Sequence, residues 1–232
     1  MRRWVKAVLR MFFPRRCLYC DRVVDPDEVA CRYCLPDIPY MEDPVCYRCG
    51  RTKSCCICRS HRRHYDRCIA AVRYEDGAVR AVLALKKEDD ADQIESMASE
   101  MVKALRKHAD AAAFDAVTFV PMFKREELER GYNQSELLAK EIAQQIGIPF
   151  TRALRKLYDT RSQKTLHQSE RSGNLLGVFD CCADVREQKL LIVDDVITTG
   201  ATLHECAKML KIGGAQTVTA LVFAATVPKE TK

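Results

Sequence analysis

The chain has 232 residues, 47% of them hydrophobic and 30% charged, with a formal net charge of +6. That is enough apolar material for one medium domain and a small companion. No apolar run approaches the roughly 18 residues a membrane-spanning helix needs, so the composition excludes a helical membrane protein. The charge is uneven. Residues 1–67 carry 15 Lys/Arg against 8 Asp/Glu, a net +7, whereas the remainder carries 23 against 24. A basic front half can attract nucleic acid or simply solubilise a thiolate-rich segment.

The chain opens Met1-Arg2-Arg3-Trp4, a basic front like that of a secretory signal. Lys6 and Arg10 interrupt the apolar stretch behind it and no small-x-small cleavage site follows, so the expectation is a cytoplasmic protein. Thirteen cysteines are present, ten of them before residue 69. Eight form CxxC pairs: Cys17/Cys20, Cys31/Cys34, Cys46/Cys49 and Cys55/Cys58. A CxxC turn presents two thiolates to one tetrahedral ion, and two turns complete a structural zinc site. Pairing in sequence order predicts two four-cysteine zinc sites over a segment 1–64. Cys56 offers an alternative ligand beside Cys55, and His61 and His64 follow Cys58 at ligand-like spacing. A disulfide framework suits a secreted chain. A redox CxxC would stand alone on a βαβ unit. Cys68, Cys181, Cys182 and Cys206 lack partner spacing and read as small apolar residues.

From residue 65 to 232 the pattern alternates strand and helix. Cys68 to Tyr74 reads as a strand, Ala78 to Lys86 as a helix, and Gln93 to His108 as a longer helix with Ile94, Met97, Met101 and Leu105 on one face. Ala116 to Val120 is a strand closed by Pro121. The charged stretch that follows holds Lys124, Arg125 and Arg130 and reads two ways: a rim segment that meets pyrophosphate, or a charged connection with Asn133 as a helix cap. Gln134 to Ile146 is a helix stopped by Gly147, and Phe150 to Leu157 a further strand. Residues 158–173 are polar and without period, and this stretch and its flank carry Arg161, Gln163, Lys164, His167, Arg171 and Asn174. So long a connector in a compact domain suggests an active-site lid. Leu176 to Cys181, Leu190 to Val193 and Val218 to Ala224 are strands, and Ala201 to Ile212 a helix ended by Gly213-Gly214. Alternating elements imply an α/β fold with a doubly wound parallel sheet, whose ligands bind beyond the strands' carboxyl ends.

The most informative run lies at such an end. Leu190 to Val193 leads into Asp194-Asp195, then into Thr198-Thr199-Gly200-Ala201-Thr202 and a helix. Small residues let the backbone approach a phosphate, and a helix N-terminus turns N–H groups toward it. Two carboxylates beside an anion site call for a ligand that also carries hydroxyls, or for a bridging cation. A phosphorylated ribose fits both demands. No Lys follows the glycine and no GxGxxG occurs, which excludes a Walker A loop and leaves a dinucleotide fold without its fingerprint. The run resembles the phosphoribosyl diphosphate (PRPP) signature of type I phosphoribosyltransferases.

With that signature in place, nearly the whole chain resembles the ComF family of competence-associated, phosphoribosyltransferase-like proteins. The four CxxC pairs are similar to that family's double zinc ribbon. Tyr74-Glu75-Asp76-Gly77 with Leu85-Lys86, Val120-Pro121 with Arg125 and Arg130-Gly131-Tyr132-Asn133-Gln134, and Gln163, Arg171, Asn174, Gly177 and Phe179 fall on its motifs. Tyr132 stands where Phe is usual, and Leu175 where Val is usual. The resemblance implies a PRPP-binding fold and a link to DNA uptake, with no defined acceptor. The expected enzyme is a phosphoribosyltransferase that uses PRPP, magnesium and a small-molecule acceptor. Asp194 and Asp195 would hold the ribose, Thr198 to Thr202 the 5′-phosphate, and Lys124, Arg125 and Arg130 the pyrophosphate. Arg161, Lys164 and Arg171 would close over the site. The competing expectation is a non-catalytic PRPP or nucleotide sensor whose ribbon binds single-stranded DNA, stacking Trp4, Tyr19, Tyr33, Tyr40 and Tyr47 on bases, or a helicase-like partner. A glutamine amidophosphoribosyltransferase is not the expected activity, since Met1 leads into Arg2-Arg3 where that enzyme has a cysteine nucleophile.

Overall fold

The computed structural model describes residues 14–56, 58, 63–86, 90–158 and 178–228. Its centre is a parallel sheet of four strands: β1 (Arg67–Arg73), β2 (Ala116–Phe119), β5 (Lys189–Ile197) and β6 (Thr217–Ala225), in the order β1-β6-β5-β2. Strands buried on both faces need near-continuous apolar runs. β6 is buried from Val218 to Ala225 and β5 from Leu190 to Val193. Four of the five helices, α1 (Asp76–Leu85), α2 (Ala91–His108), α4 (Gln134–Ile146) and α5 (Ala201–Ile212), close the two faces. Leu85, Met101 and Leu138 of the first three meet Leu191, Val193 and Phe223 in one core. Cys206 and Leu210 of α5 meet Ile192, Ala220 and Val222 in the other. The expected parallel, doubly wound α/β fold is the observed one.

Helix ends follow local chemistry. Asp90 caps α2 by accepting from the N–H groups of Asp92 and Gln93, and Asn133 caps α4 through Ser135 and Glu136. Gly147, at φ +71°, ends α4 in the left-handed conformation. Three expectations change. Lys124–Arg130 is a short helix, α3, ended by Gly131 at φ +90°, rather than an irregular connection. The strand expected over residues 150–157 is only β3 (Leu154–Lys156), paired antiparallel with β4 (Phe179–Cys181). Residues 149–151 instead run along the free edge of β2, where Val117 N–H donates to Pro149 O and Thr151 N–H to Val117 O. β5 also continues past Val193, because β6 pairs with it as far as Ile197↔Ala225. The long polar stretch with Arg161 and Arg171 lies outside the described residues.

The cysteine-rich segment is packed onto the sheet. Met41 N–H donates to Ala71 O, Cys68 N–H to Tyr47 O and Arg73 N–H to Pro39 O, so residues 39–47 occupy the open edge of β1. Buried Arg15 donates to Pro26 O and Ser96 Oγ, tying the first cysteine turns to α2. Tyr19 packs against Gly77, where a Cβ would come within 2.9 Å of the tyrosine Cβ. Among the described residues the Tyr19 hydroxyl has no hydrogen-bond partner. Tyr19→Phe is therefore expected to leave the unfolding free energy from denaturant titration unchanged or to raise it, by up to about 1–3 kcal/mol, since the change removes only an unsatisfied buried group.

Candidate functional site

Asp194 and Asp195 lie near the carboxyl end of β5, on the rim where the strand ends and the start of α4 converge. Asp194 Oδ1 accepts from Ser135 Oγ at 2.8 Å and from the Asp195 N–H at 3.0 Å. Asp195 Oδ2 faces Lys86 Nζ at 3.0 Å, and its Oδ1 accepts from the Val196 N–H at 2.8 Å. Burial, and then the charge of Asp195, push the Asp194 carboxyl up to about 8, against the Ser135 hydroxyl and the Lys86 ammonium. Both carboxylates open onto a polar cleft of about 260 Å³ that Lys86, Glu126, Arg130, Gln134, Ser135, Lys156 and Thr202 also line.

Beyond β5 the chain turns through Thr198, Thr199 and Gly200 into α5. Gly200 is the N-cap at φ +76°, a conformation that L side chains rarely adopt. The Thr199 hydroxyl accepts from the Ala201 N–H at 3.3 Å, so it caps the helix and also lies on the turn's exposed side.

Of the three basic residues expected to meet pyrophosphate, Arg130 alone lines the cleft with the acid pair. The helical period explains this. Glu126 and Arg130 stand four residues apart and share a face of α3. Arg125 points elsewhere and pairs with Glu129 at 2.9 Å. Lys124 lines a neighbouring groove with Arg152 and Arg155. Lys86, Ser135 and Lys156 were not among the expected site residues. The Leu85-Lys86 doublet and the Asn133-Gln134-Ser135 helix start were the available signals.

Eight cysteines gather in two clusters, Cys17/Cys20/Cys31/Cys34 and Cys46/Cys49/Cys56/Cys58, each with its sulfurs within 4.8 Å of one another. A tetrahedral zinc with bonds of about 2.3 Å separates its sulfurs by about 3.8 Å. The observed separations are 3.6 Å for Cys20–Cys31, 3.9 Å for Cys46–Cys58 and 3.8 Å for Cys49–Cys56. The donor set and its spacing thus fit structural zinc at both clusters. The second differs from the sequence-order pairing, for Cys56 takes the place expected of Cys55. Cys55 ends a 3-10 turn over Lys53–Cys55, and its sulfur lies by Ser54 Oγ at 3.8 Å. The chain beyond that turn brings Cys56 and Cys58 together, with the Cys58 N–H donating to Cys56 Sγ.

The family model for the phosphoribosyl transferase domain matches residues 133–232, and that for the double zinc ribbon domain matches residues 8–69. Competence protein F of Haemophilus influenzae is 24% identical over 220 residues, 89% of this chain and 95% of that protein. Over most of its length the chain is similar to competence proteins. Competence protein ComFC of Bacillus subtilis is 27% identical over 221 residues, 84% of this chain and 88% of that protein. Orotate phosphoribosyltransferase from Aeropyrum pernix, a solved structure, is similar at 20% identity and a TM-score of 0.38, over 63% of this chain and 64% of that one. Among the described residues no helix is long and apolar enough to cross a membrane.

The cysteine geometry separates two variants. Cys56→Ser is expected to lose about one of two zinc equivalents by elemental analysis, whereas Cys55→Ser keeps both. Asp194 gives a pH prediction. Folded, it keeps a proton that an unfolded aspartate, titrating near ~3.9, gives up. The folded chain then binds more protons than the unfolded one from about pH 4 to about 8. Its stability relative to Asp194→Asn falls as pH rises through that window. Denaturant midpoints of both proteins at about pH 5 and about pH 8 check this, and a constant difference between them would refute it.

Proposed function

We propose that this chain binds PRPP with magnesium and transfers its phosphoribosyl group to a small-molecule acceptor, releasing pyrophosphate. The observation that carries the reading is the acid pair at the end of β5, held by Ser135 and Lys86 and followed by the Thr198–Thr202 turn into α5. Asp194 and Asp195 accept from the ribose hydroxyls, and the turn's N–H groups take the 5′-phosphate. Lys86 and Arg130, both on the cleft, stabilise charge that develops on pyrophosphate as its bond to C1 breaks. Carboxylate oxygens are hard donors suited to magnesium, which would hold and neutralise the diphosphate beside the acid pair. Arg161 and Arg171, expected to act at the site, lie outside the described residues. The relatives' names, competence protein F and ComFC, support a role in DNA uptake.

A second reading, a sensor whose ribbon binds single-stranded DNA, has one observation of its own. The guanidinium groups of Arg22 and Arg32 lie over the ring of exposed Tyr33 at 4.9 and 4.8 Å, and that of Arg67 over Tyr47 at 4.2 Å. Such faces suit base stacking. Tyr19 is buried, which removes one of the five expected aromatics. Trp4 lies outside the described residues.

The deciding experiment is calorimetry of PRPP with magnesium, followed by pyrophosphate release in the presence of purines, pyrimidines and ammonia. Above about pH 8, where Asp194 is ionised, Asp194→Asn and Asp195→Asn should each weaken binding about ten- to a hundredfold, the loss of a charge-assisted hydrogen bond. Unaltered affinity in the folded double variant refutes the assignment. PRPP binding without pyrophosphate release under any acceptor favours the sensor.

A further inference from the structure

We infer that Arg51 and Arg63, both from the cysteine-rich N-terminal segment, hold the turn after β5 in its anion-receiving form and are positioning residues for the site at Asp194 and Asp195. The inference rests on the reading that this turn takes the 5′-phosphate.

Arg51 is the largest fully buried side chain of the molecule's described part, with 1% of its surface exposed. It stands two residues after Cys49, and its own carbonyl accepts from the Cys46 N–H at 2.7 Å, so it is built into the second cysteine cluster. Its guanidinium reaches across to the sheet. Nη2 donates to Thr198 O at 2.6 Å, to Ile197 O at 3.4 Å and to Thr226 Oγ1 at 3.3 Å, Nη1 donates to Cys49 O at 3.3 Å, and Nε donates to Thr226 O. Among the described residues no carboxylate pairs with it. Burying a guanidinium against neutral carbonyls is costly, and an apolar side chain would fill the same volume at lower cost. What the guanidinium alone supplies is a fork of donors aimed at carbonyl oxygens. Arg63 adds a further donor, from Nη2 to Thr199 O at 2.6 Å.

Two arginines thus hold three consecutive carbonyls, those of Ile197, Thr198 and Thr199. In a planar trans peptide the carbonyl of one residue and the N–H of the next point in opposite directions. Holding these three carbonyls from the ribbon side turns the N–H groups of Thr198, Thr199 and Gly200 away from it. Among the described residues nothing accepts from the N–H of Thr199 or Gly200, which is what an anion cradle requires. The same segment closes on the glycine: a Cβ at Gly200 would lie 3.1 Å from the Tyr65 hydroxyl, which donates to Arg48 O. Cys46, Cys49, Cys56 and Cys58 would hold a metal there, which would stiffen the strut that carries Arg51.

The test uses the full-length chain and its Arg51→Met and Arg63→Ala variants. Amide exchange is read residue by residue at Ala201 and His204, whose N–H groups donate to Thr199 Oγ1 and Gly200 O within the turn. Zinc content and calorimetry with PRPP and magnesium accompany it. Arg51→Met is expected to retain zinc, to speed exchange at both amides about tenfold while the α4 amides keep their rates, and to weaken PRPP about tenfold. Arg63→Ala changes the same amides less, and Arg51→Lys recovers part of the loss. Unchanged exchange at Ala201 and His204 in folded Arg51→Met, or in Arg63→Ala where the first variant does not fold, overturns the inference whatever the ligand does. If exchange shifts as expected but wild-type chain binds no PRPP, the phosphate reading fails and the positioning role stands. If wild type and Arg51→Met bind PRPP equally with equal exchange, the role fails and the phosphate reading stands.

Discussion

Two adjacent carboxylates near the end of a buried strand are the constraint around which this molecule is arranged. Leu190 to Val193 are fully buried, and the next two residues are acidic. Charges so close to a core need partners. The parallel sheet supplies them, because it collects the strands' carboxyl ends and the helix starts that follow them at one rim. Ser135 at the start of α4 meets Asp194, and Lys86 just beyond α1 meets Asp195. Burial first, and then the like charge of Asp195, keeps a proton on Asp194. A ligand with hydroxyl donors or a hard cation would relieve that repulsion, so the site's electrostatics and its proposed ligand agree.

The cysteine-rich segment is part of this arrangement rather than an appendage. It covers the β1 edge with backbone hydrogen bonds, sends Arg15 to α2, and sends Arg51 beneath the turn that follows the acid pair. A segment with so few apolar residues would gain rigidity from zinc at its two cysteine clusters. That rigidity is then available to whatever the segment touches. The carbonyls of the turn are met by Arg51 and Arg63 of that segment, while the cleft beside the acid pair is lined from the sheet and its helices.

Much of this was legible in the order of residues. The strand–acid pair–Thr/Gly turn–helix run, the parallel α/β alternation, the CxxC pairs and the two helices Gln134–Ile146 and Ala201–Ile212 are local patterns, and the chain adopts them where the patterns stand. Period and capping act over a few residues, so one sequence suffices to read them. Other features are set at longer range. α3 has no buried residues and only seven positions, too short and too polar for periodicity to show. The strand expected from residue 150 shrank because Phe150 pairs with the β2 edge.

Within the candidate site, the sequence by itself determined which groups are on offer: Asp194, Asp195, the Thr-Gly turn and the cysteine-rich clusters. Tertiary structure alone decided the partners. Arg130 faces the cleft and Arg125 does not, because the α3 face selects between neighbours. Cys56 replaces Cys55, because a short turn rotates one of two adjacent sulfurs out of the cluster. Lys86 and Ser135 reach the acid pair across 109 and 59 residues of chain, and Arg51 reaches Thr198 across 147. Spacing in sequence says nothing about such distances; only the packing of helices and ribbon on one sheet brings these groups within a hydrogen bond of each other.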